Sequence, residues 1–387
     1  MKLAWFRHAI PVAAHPLDDT AGVIGELGRD HAVDVFTRAT AHDFVWRQFR
    51  HPYDLCVFEL DNTPDHAFVW PYLLHYSGLL LLRAFSLHDS RARSLIRAQR
   101  RTDYVEEFAF SEGRSTWFMD GREGEPRGSW PMLRIPLAAA RMTAVLSRSA
   151  ADTLQEIHPE ARLRPVPPAI PGPAPAPDGS SPDFSDRRPL VFGALASPAS
   201  DMVQNAAARA RDAGTPIALV LADSAERLVA EADVILALRW PSHTICEALP
   251  LAAMASGRPF VVFETRSTAD WPLLDPQTWR PRDFTPEAPV GISIDVRDAE
   301  HSLMLALRRL AADPALRASV GAAGQAWWGR HATVAHATAA WRALLGEAAS
   351  LDVPLPPAGW PAHLRADGTE RARSILRDFG AGVDLFR

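Results

Sequence analysis

The chain has 387 residues, 47% of them hydrophobic and 22% charged, with a net charge of −5 and two cysteines. That length predicts two globular domains, the acidic balance gives no overall attraction to nucleic acid, and Cys56 and Cys246 exclude a disulfide framework. Lys2 is the sole lysine; this suits a GC-rich bacterial genome and leaves Arg, His or backbone N–H groups to hold any anion.

The opening segment MKLAWFRHAIPVAAHP is interrupted by Arg7, His8 and Pro11, so it reads as a buried strand over 2–6 and not as a signal peptide. Further apolar runs lie at 32–37, 54–60, 78–85, 142–147 and 162–170. The intact runs are bounded by Gly, Pro or charge and lack strict alternation, as strands covered on both faces do. Helices are expected between them near 17–29, 63–77, 87–108 and 149–157. The alternation predicts a parallel α/β domain over 1–170. Residues 171–187, PGPAPAPDGSSPDFSDR, break all periodicity and read as a linker.

A second alternation occupies 188–350, with strands at 189–195, 216–222, 233–238, 259–264 and 290–296 and a helical end from about 300 to 345. Trp327, Trp328 and Trp341 fit helix packing at the back of that domain. Residues 351–387 form a tail with one short amphipathic helix. No apolar run approaches the ~18–20 residues of a membrane helix, so a cytoplasmic protein is expected. The Gly-x-Gly-x-x-Gly fingerprint of dinucleotide sites is absent, and no His/Cys cluster or Asp-x-Asp pair has metal-ligand spacing.

The most informative stretch is LRWPSHTICEALPLAAMASGRPFVVFE, residues 238–264. A buried strand runs into the turn Arg239-Trp240-Pro241-Ser242. A small-faced helix follows from Ile245, ends at Gly257 and Pro259, and leads to a second buried strand. Such a unit opens a helix N-terminus beside a strand's carboxyl end, where free N–H groups and the helix dipole favour an anion. Arg239 offers a guanidinium that can grip two phosphates; the plainer reading is a surface arginine at a strand end. Ser242, His243 and Thr244 line the turn, where hydroxyls can cap the helix, cradle a phosphate or do both. Glu247 is the one acid of the helix, and Pro250 is expected to distort it.

This stretch resembles the nucleotide-sugar corner of family-four GT-B glycosyltransferases, in which a Pro-Ser turn leads through an E-x7-E helix to a Gly-x-Pro-Val-Val ending. Other segments are similar in the same order. Within 61–89, Asn62, His66, Ala67, Phe68, Gly78 and Leu87-His88 match the family, while Leu82-Arg83-Ala84 stands where it has Leu-His-Asp. Residues 139–170 resemble its last N-terminal strands. LVFGAL at 190–195, with Gly193, resembles the strand and turn facing the donor phosphates, and 305–327 resembles a late helix with Asp-Pro and Arg. The family's acids are missing. Ala252 stands at the second Glu, which normally holds the donor ribose, and the first falls near Thr244 or Ile245. Glu247 is either a shifted substitute or a carboxylate favoured by the helix start.

The resemblance implies an α/β, GT-B-like protein of two Rossmann-like parallel-sheet domains facing a central cleft. It implies metal-independent, retaining transfer from a nucleotide-diphosphate sugar, which is a co-substrate and not a cofactor, to a glycan, lipid-linked or protein acceptor. His66, His88 and Glu247 become the catalytic candidates; Asn62, Arg83, Gly193, Arg239, Ser242, His243 and Thr244 become the binding ones. A degenerate scaffold subunit and a nucleotide-sugar epimerase remain alternatives. The arginine-rich helix near 87–101 reads either as a contact for an anionic acceptor or membrane surface, or as a solvated face.

Overall fold

The computed structural model describes residues 1–9, 20–113, 130–172, 189–196, 199–282, 287–365 and 370–380. Most of the linker expected at 171–187 lies outside these residues. The N-terminal half runs β1 (Lys2–Phe6), α1 (Ala21–Leu27), β2 (Ala32–Phe36), α2 (Ala41–Arg50), β3 (Leu55–Leu60), α3 (Val69–Tyr76), β4 (Leu79–Leu82), α4 (His88–Arg97), α5 (Arg101–Glu112), α6 (Arg134–Ala139), β5 (Met142–Val145), α7 (Arg148–Ile157) and β6 (Leu163–Pro165). The second half runs β7 (Leu190–Leu195), α8 (Ser200–Asp212), β8 (Ile217–Ala222), α9 (Ala225–Glu231), β9 (Val234–Ala237), α10 (Ala248–Ala255), β10 (Phe260–Phe263), β11 (Leu273–Leu274), β12 (Gly291–Ile294), α11 (Ala299–Ala312), α12 (Pro314–His331) and α13 (Val334–Ser350). A tail helix, α14 (Glu370–Asp378), follows.

Each half is a six-stranded parallel sheet, ordered β2-β1-β3-β4-β5-β6 in the first and β11-β12-β10-β9-β7-β8 in the second. The continuous apolar runs become central strands because helices cover both faces; every residue of β3, β4 and β5 is buried. In the first core Phe6 stacks between Phe36 and Phe58, with ring centroids 5.3 and 5.0 Å away. Gly78 is needed at the entry to β4, since a Cβ there would lie 2.1 Å from the Cys56 carbonyl oxygen.

The expected helix at 87–108 is two helices, α4 and α5, separated at Gln99, whose φ is 58°. Helices α2 and α6 form where the sequence suggested none. The largest departure is α13, assigned by sequence to the second half. It crosses back onto the first sheet, where Trp341 packs 5.0 Å from Trp5 and Arg342 pairs with Asp30. Trp327 and Trp328 stay with the second half, and the Trp328 indole N–H donates to the Ile170 carbonyl. Among the described residues no helix is long and apolar enough to cross a membrane.

Candidate functional site

The two sheets meet through the segments that follow their strands. After β4, the Phe85 N–H donates to the His243 carbonyl (2.7 Å), and the Ile245 N–H donates to the Arg83 carbonyl (2.8 Å), with Ala84 opposite Thr244. After β5, the Arg148 and Ser149 N–H groups at the start of α7 donate to the Asp270 carboxylate at 2.8 and 2.9 Å. Asp270 lies beyond β10, so the carboxyl ends of both sheets face one cleft. Ligands of open parallel sheets bind at such edges.

On the C-terminal wall, Arg239 lies two residues past the end of β9, exposed, and makes no side-chain hydrogen bond or ion pair among the described residues. Trp240 beside it is 53% exposed. The helix expected from Ile245 begins only at Ala248, with Glu247 as its N-cap. The delay has a tertiary cause: the Ile245 N–H is held by Arg83, and the Ile245 side chain is buried in the N-terminal core. Ser242 and Thr244 therefore do not cap α10. The Ser242 hydroxyl donates instead to the Glu247 carboxylate (2.7 Å) and accepts from the Thr244 N–H (3.4 Å).

That arrangement alters the anion corner read from sequence. The Thr244 and Ile245 amides are engaged, and a carboxylate already sits where the helix dipole favours negative charge. Pro250 occupies the third helical position, where its missing N–H has no partner to lose, so it leaves α10 undistorted. Ala252 is buried. Gly193 also changes meaning. It sits inside β7, and a Cβ would lie 2.5 Å from Leu228 Cδ1 and 2.6 Å from Ala232 Cβ. It lets α9 lie close on the sheet and is not a turn glycine facing phosphates.

On the N-terminal wall the central group is Glu59, a buried carboxylate near the end of β3 that the sequence reading did not single out. Its Oε1 accepts from the Trp5 indole N–H (2.7 Å) and the Thr20 hydroxyl (2.9 Å). Arg7 Nε and Arg83 Nη1 each lie 3.8 Å from the carboxylate. The signal available in sequence was a single acid inside the apolar run LCVFEL. A buried charge needs donors and a counter-charge, and β1 and β4 supply them.

His66 is buried at this edge, with Nδ1 2.9 Å from the Thr63 hydroxyl and its ring 5.8 Å from that of His8. Burial pushes its pKa down to about 4; Arg83 and His8 reinforce the shift while Asp61 opposes it. The imidazole is therefore neutral near pH 7 and available for hydrogen bonding. His88 is buried at the first position of α4. The residue is 2% exposed, and its ring reaches toward α5 with Nε2 2.9 Å from the Tyr104 hydroxyl. Asn62 accepts the Ser90 N–H through Oδ1 (2.9 Å), tying the end of β3 to the first turn of α4. Of the candidates, Arg239, Ser242, His243, Thr244 and Glu247 form one wall; Arg83 and His66 form the other. Among the described residues no three His, Cys, Asp or Glu side chains converge as metal ligands would.

No protein-family model and no curated protein sequence matches the chain. Among solved structures, Alr3699/HepE of Anabaena, in complex with UDP-glucose, is similar with a TM-score of 0.54 and 12% identity, over 90% of this chain and 100% of that one. WaaG, a glycosyltransferase involved in lipopolysaccharide biosynthesis, is similar with a TM-score of 0.51 and 12% identity, over 89% of this chain and 100% of that one. With two six-stranded parallel sheets, flanking helices and carboxyl edges turned to a shared cleft, the chain has the GT-B fold.

Proposed function

We propose that this protein transfers a glycosyl group from a nucleotide-diphosphate sugar to a separate acceptor, without a metal ion and with retention of configuration. The observation that carries the reading is Arg239, an exposed guanidinium with no partner among the described residues, set at the cleft end of β9 beside the segment where the sheets join. A fixed cation there offsets charge developing on a departing diphosphate, and it binds two phosphate oxygens at once. The Ser242 hydroxyl and Glu247 carboxylate form a hydrogen-bonded pair next to it, suited to donor or sugar hydroxyls. Across the cleft, neutral His66 is a candidate partner for an acceptor hydroxyl, and Arg83, held near Glu59, is a candidate contact for an anionic group. HepE, which shares the fold, was crystallised with UDP-glucose, so uridine diphosphate sugars are the first donors to try.

The test is incubation with a panel of nucleotide sugars, following thermal protection and turnover, with the Arg239→Ala variant alongside. Protection by at least one donor, lost in the variant, supports transfer. The absence of any response to every donor refutes it. One observation favours a second reading, a binding or scaffold subunit: Ala252 is buried and apolar where the resembling family keeps its ribose-holding carboxylate. On that reading the protein binds a partner enzyme and Arg239→Ala is silent. Release of free or inverted sugar without any acceptor would instead indicate hydrolysis or epimerisation.

A further inference from the structure

Past α13 the chain is held to the N-terminal half at two places. The Arg141 guanidinium donates to the Leu351 carbonyl (3.2 Å), and a single turn, Ala362–Arg365, sits against α5. Trp360 is buried there, edge-on to Phe110 with ring centroids 5.4 Å apart, and Leu364 packs on the first core. Between these two apolar anchors His363 is directed at α5. On that helix Asp103, Glu106 and Glu107 stand three and four residues apart, on one face, where like charges repel. His363 Nε2 lies 2.9 Å from Glu107 Oε1, and Nδ1 lies 3.2 Å from Glu106 Oε2 and 3.6 Å from Asp103 Oδ1.

This cluster balances its charge only with a third cation. Arg91 of α4 donates to Glu107 through Nε and Nη2, at 2.7 and 2.5 Å, and Arg100 Nε donates to Asp103 at 2.5 Å. Glu106 has no partner other than His363 among the described residues. Two guanidinium groups therefore face three carboxylates. The other titratable groups lining the cavity beside His363 are Tyr72, His75 and Tyr76 of α3, and Arg365 is the other charge on its own turn. Glu107 is fully buried, and its pKa, which burial alone would raise, is held below the ordinary carboxylate value by donation from His363 and Arg91. A neutral imidazole has one N–H and one lone pair. With carboxylates at both ring nitrogens, that lone pair would face carboxylate oxygen, whereas an imidazolium donates to both sides. Burial of His363 favours the neutral ring, but its hydrogen bonds to Glu107 and Glu106 outweigh burial and raise its pKa.

We infer that the turn Ala362–Arg365 is a proton-operated latch, in which charged His363, set between Glu106 and Glu107, fastens the tail to α5 and neutral His363 lets it go. The latch is closed below the ordinary histidine value of about 6.5 and opens as pH rises through the higher value of the docked ring. Opening leaves the Arg91–Glu107 pair in place and α13 on the first sheet, where Trp341 packs on Trp5, so the segment beyond Leu351 is what is released. The inference does not rest on glycosyl transfer and stands or falls separately from it.

Hydrogen exchange of the full chain, followed from pH 6 to 9 and corrected for intrinsic rates, tests it. The reporters are the Trp360 and Leu364 N–H groups, which donate to the Pro357 and Pro361 carbonyls, and the amides of β3 check that the fold persists. Reporter protection in the wild type is expected to fall by about ten-fold or more across this range, the weight of one charged hydrogen bond, while β3 stays protected. Glu106→Gln, at a partly exposed position, is expected to move the midpoint of release down by roughly half a pH unit. His363→Gln is expected to leave the reporters weakly protected at every pH. Reporter protection that does not vary with pH in the wild type overturns the inference. So does a His363→Gln profile that keeps the wild-type pH dependence, or a Glu106→Gln midpoint equal to that of the wild type.

Discussion

The two walls of the cleft are built in opposite ways. The N-terminal wall is built around a buried charge: Glu59 accepts from Trp5 and Thr20 with Arg7 and Arg83 beside it, and Asn62 ties β3 to α4. The C-terminal wall carries unengaged capacity, with Arg239 and Trp240 exposed past the end of β9 and the Ser242–Glu247 pair formed beside them. Polar groups already bonded to one another fix a shape, whereas an unpartnered cation in a cleft is a place for a ligand. On the proposed function, Arg239 of the second wall grips the donor diphosphate, while the buried network around Glu59 holds the shape of the first wall.

Breaking the N-terminal wall is expected to cost stability. Glu59→Ala removes the carboxylate to which Trp5 and Thr20 donate and beside which Arg7 and Arg83 lie, a loss of about 3 kcal/mol in urea unfolding; no change in midpoint would refute the buried network. His66 gives that wall a pH dependence. Its pKa is near 4 in the fold and near 6.5 in the unfolded chain, so the unfolded state takes up the proton first. The His66 contribution is present above pH ~6.5 and is lost as pH falls toward 4, on the order of 2–3 kcal/mol at full titration. Thermal melts from pH 7 to 4 should steepen for the wild type relative to His66→Gln, and parallel curves would contradict the assignment.

Two further changes sharpen the contrast. Gly193→Ala places a methyl group within 2.6 Å of Leu228 and Ala232 and is expected to cost about 2 kcal/mol through overpacking. A pure loss of stability agrees with a packing role; a loss of donor binding at unchanged stability would restore the phosphate role read from sequence. Asp270→Ala removes the acceptor of the Arg148 and Ser149 N–H groups between the halves. A cost of about 1 kcal/mol is expected, with a larger radius of gyration in solution scattering as the cleft opens. An unchanged radius would show that the 83–85 and 243–245 pairing, with α13 on the first sheet, suffices to hold the halves together.

Most strands were legible in the sequence to within a residue or two, because unbroken apolar runs bounded by Gly, Pro or charge have few other uses in a chain of this length; the runs at 78–85 and 162–170 overran β4 and β6, and the two-residue β11 was not expected. What failed were features set by distant partners. Helix α10 starts three residues later than its local pattern suggests because Ile245 is captured by Arg83 and the N-terminal core. Trp341 fits a C-terminal helix by sequence, yet it packs on Trp5 more than three hundred positions away. Of the candidates, Arg239 was legible from its place just past β9, and His66 through the family resemblance. His88 was not, since nothing near it in sequence announces Tyr104 as its partner. Glu59 was missed because it sits alone in a strand, and its role depends on β1 and β4 lying on either side.

The central claim is that the ligand capacity of the cleft resides in Arg239. Calorimetric titration of the wild type and of Arg239→Ala with uridine diphosphate, alongside their thermal melts, tests it most directly. The account predicts saturable binding by the wild type, weakened in the variant by about ten- to hundred-fold, the range of a charged hydrogen-bonding contact, with equal melting temperatures because Arg239 has no partner to lose. Equal affinities in the two proteins, or a variant that binds as before yet melts earlier, would contradict it.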